Sequence, residues 1–206
     1  MPESLLDRVP VIPVVVLDDP AHAVPVARAL VEGGVPVIEL TLRTAAALDC
    51  VEQIASNVPE ILVGAGTIVV PEQAKQALSA GAQFLVSPGT TDDLAAAMQE
   101  TGLPHLPGAA TVSEVLRLLE LGYRELKFFP AAASGGAAFL EAAGAPLPQA
   151  RFCPTGGITP ASAASYLSLA NVGCVGGSWL TPADAIADGD WSRISRLAAE
   201  STRLAG

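Results

Sequence analysis

The chain has 206 residues, of which 50% are hydrophobic, and its formal net charge is −10. A chain of this length and composition is expected to form one domain with a large core, spanning residues 1–206. The acidic balance and the lack of clustered cations argue against a nucleic-acid partner, although a few cations and backbone N–H groups can still bind a small anion locally.

Eight short apolar runs alternate along the chain with Ala- and Leu-rich amphipathic segments, which is the pattern of βα units with a parallel sheet. The runs begin 20 to 26 residues apart, close to the minimum for a strand, a helix and two short loops. Eight regular units predict an α/β fold, a single (β/α)8 TIM barrel near the short limit of its size. An open doubly wound sheet is the alternative, which the regular spacing disfavours. The runs are VIPVVV, VIELTLR, ILVGAGT, FLVSPG, PHLPGA, ELKFFPA, RFCPTGG and VGCVGGSW.

The first run lies in an apolar stretch, residues 9–17, that contains two prolines, ends at two aspartates and follows no basic segment. Such a stretch is expected to be neither a signal peptide nor a membrane span. Three cysteines, Cys50, Cys153 and Cys174, are odd in number and lack the spacing of a zinc site. We therefore predict reduced, buried thiols in a cytoplasmic protein.

Side chains of a barrel strand alternate between the interior and the surrounding helices, and active sites lie at the carboxyl ends of the strands. In VIELTLR, this alternation places Glu39, Thr41 and Arg43 on the inward face. In ELKFFPA, it places Lys127 and Phe129 inward. A carboxylate and two cations are thus predicted to share one interior.

Two interpretations of Lys127 remain open at this point. A buried ion pair with Glu39 could be purely structural, but desolvation cancels much of the Coulomb gain of such pairs. Alternatively, burial and a neighbouring cation such as Arg43 favour a neutral lysine amine, which can attack a carbonyl carbon. Glu39 would then be the general acid/base of a Schiff-base mechanism. The second interpretation gives both charged residues a role, so we favour it.

Glycine-rich turns follow several predicted strands. GAGT ends at Thr67, whose hydroxyl could donate to a carboxylate, and SPG contains Pro88. TGG at residues 155–157 and GGS at 176–178 follow the last two strands, where barrels of this kind often bind phosphate through backbone N–H groups. Glycine by itself is a weak signal, so each stretch could be only a turn. His22 and His105 lack the spacing of metal ligands, and we predict no metal site.

The motifs ELTLRT, VGAGT, SPGTT, LPGAATVSE, KFFPA followed by GG, RFCPTGGI and GGSWL occur in this order over nearly the whole chain. They resemble those of the bacterial 2-keto-3-deoxy-6-phosphogluconate (KDPG) aldolase family. The resemblance implies a class I, metal-independent aldolase without a cofactor, usually a homotrimer, that cleaves its phosphorylated 2-keto acid to pyruvate and glyceraldehyde 3-phosphate. Many members also cleave 4-hydroxy-2-oxoglutarate, and the resemblance further implies a place in the Entner–Doudoroff pathway.

The resemblance also implies a role for each matching residue. Lys127 would be the Schiff-base lysine and Glu39 the proton shuttle. Arg43 and Thr67 would hold the pyruvate carboxylate, and Pro88 and Phe129 would line the pocket. The residues expected to bind the hydroxylated, phosphorylated end lie in the last two turns: Thr155, Gly156, Gly157, Gly176, Gly177 and Ser178. The loop FFPAAASGG departs from the FFPAEANGG of one common version of the family and lacks its carboxylate.

Three functions remain as alternatives to a KDPG aldolase. The first is an aldolase for the galactonate-derived C4 epimer of the substrate. The second is a phosphosugar isomerase or synthase on the same barrel, in which Lys127 acts only electrostatically. The third is a sugar-phosphate binding protein without catalysis. Imine trapping separates an aldolase from the second and third, because only an aldolase needs the covalent adduct, and turnover separates those two from each other.

Overall fold

The computed structural model describes residues 4–204, in which strands and helices alternate along the chain. The strands are β1 (Val11–Val15), β2 (Val37–Thr41), β3 (Leu62–Gly66), β4 (Phe84–Val86), β5 (His105–Leu106), β6 (Gly108–Ala109), β7 (Glu125–Phe128), β8 (Arg151–Pro154) and β9 (Val175–Gly177). The α-helices are α1 (Ala23–Glu32), α2 (Ala47–Asn57), α3 (Pro71–Ser79), α4 (Asp92–Glu100), α5 (Val112–Glu120), α6 (Gly136–Gly144), α7 (Pro160–Leu167), α8 (Ala183–Ala187) and α9 (Trp191–Ser201).

The strands form two parallel sheets, which confirms the predicted α/β class. A six-stranded sheet has the order β5-β4-β3-β2-β1-β9, and a three-stranded sheet has the order β6-β7-β8. Two isolated parallel bridges lie between the sheets, one joining Phe152 to Val172 and the other joining Thr155 to Gly176. The six-stranded sheet curls, so that the carboxyl ends of its strands lie around a common interior.

The fifth predicted run, PHLPGA, forms two short strands, β5 and β6, on either side of Pro107. Proline has no N–H and cannot continue a hydrogen-bonded ladder. The Ser87 hydroxyl accepts a hydrogen bond from the N–H of Gly108 at 3.2 Å, and the carbonyl of Pro107 accepts one from the N–H of Lys127 at 3.0 Å. As a result, β5 pairs with β4 and β6 pairs with β7.

The helices cover the outer face of the strands with their apolar sides. Helix α5 shows the pattern: Thr111 and Glu114 form a capping box at its start, and Val115, Leu118 and Leu119 are buried one turn apart. Burial of each large aliphatic side chain contributes about 1.5–3 kcal/mol relative to exposure.

None of the helices within residues 4–204 combines the length and apolarity needed to cross a membrane.

The interior face of β3 carries two glycines in place of side chains. Gly64 lies in register between Glu39 on β2 and Phe84 on β4, and an ideal Cβ on Gly64 would lie 2.3 Å from Cζ of Phe84. The aromatic ring therefore occupies the space that a side chain at position 64 would need. Phe84 is fully buried, and it forms a floor below the carboxyl ends of the strands.

Candidate active site

A lysine and a glutamate from distant strands meet in this interior. The Nζ atom of Lys127, on β7, donates to Oε1 of Glu39, on β2, at 3.0 Å. Their side chains are only 6% and 4% exposed. Within residues 4–204, this is the one hydrogen bond that the Glu39 side chain accepts. The structure thus brings together the two groups that strand alternation places inward.

The pair can exchange a proton directly, because 3.0 Å is an ordinary hydrogen-bond distance between an amine and a carboxylate. A lysine that has lost its proton is a nucleophile, and the carboxylate that accepted the proton becomes an acid for a later step. Lys127 Nζ also lies 5.6 Å from the centre of the Phe129 ring, which is half-buried and forms a wall of the site. Phe128 points the other way and stacks on Phe139 of α6 at 4.9 Å.

The cysteine thiols are poorer nucleophile candidates. All three are free and buried. Burial raises the pKa of Cys50 to about 11. A hydrogen bond with the Cys153 thiol, together with burial, raises the pKa of Cys174 well above its usual value. Because the thiolate is the reactive form of cysteine, Cys50 and Cys174 stay in their unreactive thiol form at neutral pH.

Arg43 lies beyond the end of β2, so the strand alternation from which its inward position was predicted does not extend to it. Strand β2 ends at Thr41, and the N–H of Arg43 donates to the carbonyl of Thr41 at 2.8 Å in a turn. The Arg43 side chain is exposed, two residues beyond the end of β2. In the described part of the chain its guanidinium pairs with no carboxylate, so it is open to an anionic ligand. Thr41 is buried, and its hydroxyl donates to the carbonyl of Val15 at 3.2 Å.

Thr67 directly follows β3 and has a φ of 60°. Among residues 4–204, it is the one non-glycine residue with a positive φ. This conformation is a genuine outlier for a β-branched residue and costs on the order of 1–3 kcal/mol. Strain of this kind concentrates at functional sites. The half-buried Thr67 directly follows Gly66, which contacts the Glu39 carboxylate.

Pro88 lies just beyond β4 and is half-buried. Its carbonyl carbon would lie 2.3 Å from an ideal Cβ on Gly108, so the two chain segments approach each other as closely as a glycine permits. The hydroxyl of Ser87 reinforces this contact through its hydrogen bond with Gly108. Pro88 is therefore held in a fixed place at the carboxyl end of the sheet.

The two glycine-rich turns lie side by side. Thr155 forms the isolated bridge to Gly176, and its Oγ1 atom would lie 2.2 Å from an ideal Cβ on Gly176. Gly156 and Gly157 have φ values of 99° and 74°, which favour glycine. The carbonyl of Gly156 accepts a hydrogen bond from the N–H of Ala132 at 3.0 Å, which ties this turn to the loop after Lys127.

The second glycine-rich stretch, residues 176–178, packs against an aromatic ring. An ideal Cβ on Gly177 would lie 2.1 Å from Cζ3 of Trp179, so the indole packs directly on the backbone of the turn. Ser178 is exposed. The six residues predicted to bind a phosphorylated end therefore lie together, Thr155, Gly156 and Gly157 just beyond β8, and Gly176, Gly177 and Ser178 at the carboxyl end of β9.

Two residues of the site escaped the sequence analysis. Cys153 is in register with Lys127, and its Sγ atom lies 3.8 Å from Oγ1 of Thr155. Strand alternation applied to RFCPTGG could have placed it beside the lysine. Gly66 contacts the carboxylate of Glu39, and no pattern in the sequence distinguishes it from the glycine of an ordinary turn.

The two histidines are engaged in packing contacts. His105 hydrogen-bonds through Nδ1 with the carbonyl of Leu103 at 3.0 Å and through Nε2 with the hydroxyl of Tyr123. Burial lowers the pKa of His105. His22 packs against the Trp191 ring at 5.9 Å. Across the described residues, His, Cys, Asp and Glu side chains are nowhere grouped in threes as metal ligands would be.

Comparisons with known proteins agree on one family. Residues 3–197 match the family model described as "Aldolase: KDPG and KHG aldolase". The chain is 52% identical over 199 residues to the KHG/KDPG aldolase of Escherichia coli (strain K12), covering 97% of this chain and 93% of that protein.

Solved structures show the same similarity. The KDPG aldolase of Legionella pneumophila, with pyruvate captured at low pH as a covalent carbinolamine intermediate, superposes with a TM-score of 0.94 and 45% identity over 96% of both chains. The aldolase of Zymomonas mobilis ZM4 with 3-phosphoglycerate superposes with a TM-score of 0.91 and 43% identity over 97% of this chain and 93% of that one.

Proposed function

The chain belongs to the KDPG and KHG aldolase family, and from this premise we propose that it is a class I aldolase that cleaves KDPG to pyruvate and glyceraldehyde 3-phosphate. The observation that carries the proposal is the buried contact of 3.0 Å between Lys127 and Glu39. A structural ion pair explains this contact less well, because apolar residues stabilise a core at least as effectively. The carbinolamine captured in the L. pneumophila relative supports the same chemistry.

Imine formation is the first half of the reaction. Lys127 Nζ transfers a proton to Glu39 and attacks the C2 keto carbon, forming a carbinolamine. Loss of water, with the departing hydroxyl protonated by Glu39, leaves a protonated imine between Nζ and C2. This cationic imine accepts electrons from the neighbouring carbon–carbon bond, as a covalent catalyst must.

Cleavage and release complete the cycle. Glu39 removes the proton of the C4 hydroxyl, directly or through a water molecule, and the C3–C4 bond breaks as the C4–O bond becomes a carbonyl. The bonding electrons move to the imine and leave an enamine, while glyceraldehyde 3-phosphate departs. Glu39 then returns the proton to C3, and hydrolysis of the imine frees pyruvate and the Lys127 amine.

The other predicted site residues bind the two ends of the substrate. Arg43 and the Thr67 hydroxyl hold the carboxylate of the pyruvate half, since a guanidinium and a hydroxyl are both hydrogen-bond donors. Pro88 and Phe129 form the walls around C2. We place the phosphate at residues 155–157 and 176–178, which contain four glycines, because backbone N–H groups that no side chain covers can bind an anion. The phosphate-bearing ligand of the Z. mobilis relative supports an anion site of this kind.

We assign 4-hydroxy-2-oxoglutarate as a second substrate, cleaved to pyruvate and glyoxylate. The E. coli relative carries both activities in its name. The pyruvate half of this molecule is the same as in KDPG, so Lys127 and Glu39 act on it in the same way. It has no phosphate, and the two glycine-rich turns are left without a ligand.

Product analysis tests the function. The purified protein is incubated separately with KDPG and with its galactonate-derived C4 epimer, and the release of pyruvate is followed with lactate dehydrogenase. We expect a higher kcat/KM for KDPG. A higher value for the epimer would change the substrate assignment, isomerised product without pyruvate would indicate an isomerase, and substrate binding without turnover would indicate a binding protein.

A serine substitution tests the phosphate site. Ser178→Ala removes one charge-assisted hydrogen bond to phosphate, so kcat/KM for KDPG should fall by the equivalent of about 1.5–3 kcal/mol. The kcat/KM for 4-hydroxy-2-oxoglutarate should stay within about twofold, because that substrate lacks a phosphate. Equal losses on both substrates would mean that Ser178 supports the fold or the imine centre instead.

We further propose that residues 1–206 form a single domain whose two sheets close into a (β/α)8 barrel. The bridge between Thr155 and Gly176 supports closure between β8 and β9. On the other side, β5 and β6 are consecutive segments of one run interrupted by Pro107. Both features support a closed barrel.

We also propose that the protein is a cytoplasmic homotrimer. The three free thiols support a reducing compartment. Exposed large apolar side chains supply surface for contacts between subunits. These residues are Val16, Val69, Val70, Leu78, Val112 and Leu116.

A further inference from the structure

The carboxylate of Glu39 lies directly against the backbone of Gly66 on the neighbouring strand. An ideal Cβ on Gly66 would lie 2.0 Å from Oε1 of Glu39 and 2.6 Å from both Cγ and Cδ. Real Cβ atoms do not approach other heavy atoms this closely, so the observed position of the carboxylate requires glycine at residue 66. The same Oε1 atom accepts the hydrogen bond from Lys127.

The backbone on which the carboxylate rests is fixed. Gly66 is paired in register with Thr41, and its carbonyl accepts a hydrogen bond from the N–H of Leu42 at 2.8 Å. Glu39 lies on β2, as Thr41 does, and its main chain is paired with β1 on one side and with β3 on the other. A side chain added at Gly66 could therefore be accommodated only by movement of the flexible end of Glu39.

From these contacts we propose that Gly66 is a positioning residue: its missing side chain gives the Glu39 carboxylate its place beside Lys127. The inference rests on the proposed function, in which Glu39 moves the protons. A base that was held by several hydrogen-bond donors would be a weaker base, because such bonds stabilise its charged form. Packing against Gly66 holds the carboxylate without a donor, and leaves its lone pairs for Lys127 and the substrate.

Gly66→Ala is the direct test. To reach an ordinary contact distance of about 3.4 Å or more, the carboxylate must move by more than 1 Å, and a misplacement of that size can cost about a hundredfold in rate. We expect exchange of the pyruvate methyl protons with deuterated water, measured by NMR, to fall by about that factor. The borohydride-reduced pyruvate adduct at Lys127 should still form, although more slowly, because Lys127 is retained while its proton acceptor is displaced. Exchange is therefore divided by the amount of adduct before it is compared with wild type.

Gly64→Ala is the matched control on the same strand and the same face. The three atoms nearest to the added methyl group all belong to the ring of Phe84. We expect a lower urea midpoint of unfolding. The rate of pyruvate methyl proton exchange, divided by the amount of Lys127 adduct, should stay within about threefold of wild type. A loss of exchange in Gly64→Ala as large as that in Gly66→Ala would overturn the proposal, because it would show that any disturbance of β3 has this effect.

A double-mutant cycle tests whether Gly66 acts through Glu39. In a Glu39→Gln background the base is already absent, so adding Gly66→Ala should change exchange by less than about twofold. Losses that multiply would overturn the proposal. Unchanged exchange in Gly66→Ala alone would also overturn it, whereas a wild-type protein that forms no pyruvate adduct would overturn the proposed function itself.

A stability measurement keeps the inference testable even if Gly66→Ala folds poorly. Glu39→Ala removes the atoms that the new methyl group would meet. Gly66→Ala should therefore lower the urea midpoint less in the Glu39→Ala background than in wild type. An equal decrease in the two backgrounds would mean that the methyl group clashes with something other than the carboxylate, and would overturn the proposal.

Discussion

Lys127→Arg is expected to abolish cleavage of KDPG while the protein remains folded. A guanidinium stays protonated in proteins and cannot attack a carbonyl carbon, although it keeps a positive charge near Glu39. Without the imine there is no acceptor for the electrons of the C3–C4 bond, so kcat should fall by about 10³-fold or more, as when other covalent nucleophiles are removed. Circular dichroism and the urea midpoint establish that the variant is folded.

Imine trapping makes this result specific. Wild-type protein incubated with pyruvate and borohydride should gain one reduced adduct, which peptide mass spectrometry should locate at Lys127. The chain offers a natural control, because its other lysine, Lys75, lies on helix α3, is 69% exposed and pairs with Glu100 at 3.5 Å. Lys75→Arg should keep both the adduct and the turnover. An adduct found only at Lys75, or none at all, would refute the class I mechanism.

Glu39→Gln should separate imine formation from proton transfer. The amide has nearly the same shape as the carboxylate but cannot accept the proton of the C4 hydroxyl. The pyruvate adduct at Lys127 should still form, more slowly, while exchange of the pyruvate methyl protons falls by about a hundredfold or more. Cleavage of KDPG should fall by at least the same factor, because it needs two proton transfers.

The comparison of exchange with adduct yield decides the assignment. Exchange divided by the amount of adduct isolates the proton-transfer step from the formation of the imine. Undiminished exchange per adduct would show that another group is the base. A parallel loss of adduct and exchange would mean that Glu39 serves chiefly to deprotonate Lys127.

Strand alternation predicted the centre of the site because it depends on few assumptions. Glu39 and Lys127 lie within strands β2 and β7, where the period of two residues holds and the inward face is fixed by the apolar residues between them. The contact between the two side chains across 88 positions of sequence then follows from the shape of the sheet. The family resemblance independently points to the same two residues.

The alternation of side chains between the two faces of a strand does not apply beyond the end of that strand. The run VIELTLR contains no glycine or proline to mark a boundary, yet β2 stops at Thr41 and Arg43 lies in a turn. The end of a strand is set by its neighbours, and β3 also ends at the level of Thr41, at Gly66. A single sequence does not carry that information. In PHLPGA, by contrast, Pro107 was a visible signal that the ladder would be interrupted.

The role of Gly66 was beyond sequence analysis for a different reason. A glycine is permitted by many local conformations, and the motif GAGT suits a turn as well as a site. Only the position of the Glu39 carboxylate in space shows which of the two glycines of β3 touches that carboxylate and which makes room for Phe84. The strained conformation of Thr67 is likewise visible only in the backbone.

The ring of Phe84 has a consequence for the direction in which the enzyme can be run. Because this fully buried, apolar ring fills the interior below Glu39, it offers the Lys127 enamine no proton from that side. The enamine formed from pyruvate then has two fates, protonation at C3 by Glu39 or attack of C3 on an aldehyde carbonyl, whose oxygen takes the Glu39 proton instead. A high aldehyde concentration favours the second fate, so the protein is suited to carbon–carbon bond synthesis from pyruvate and a supplied aldehyde.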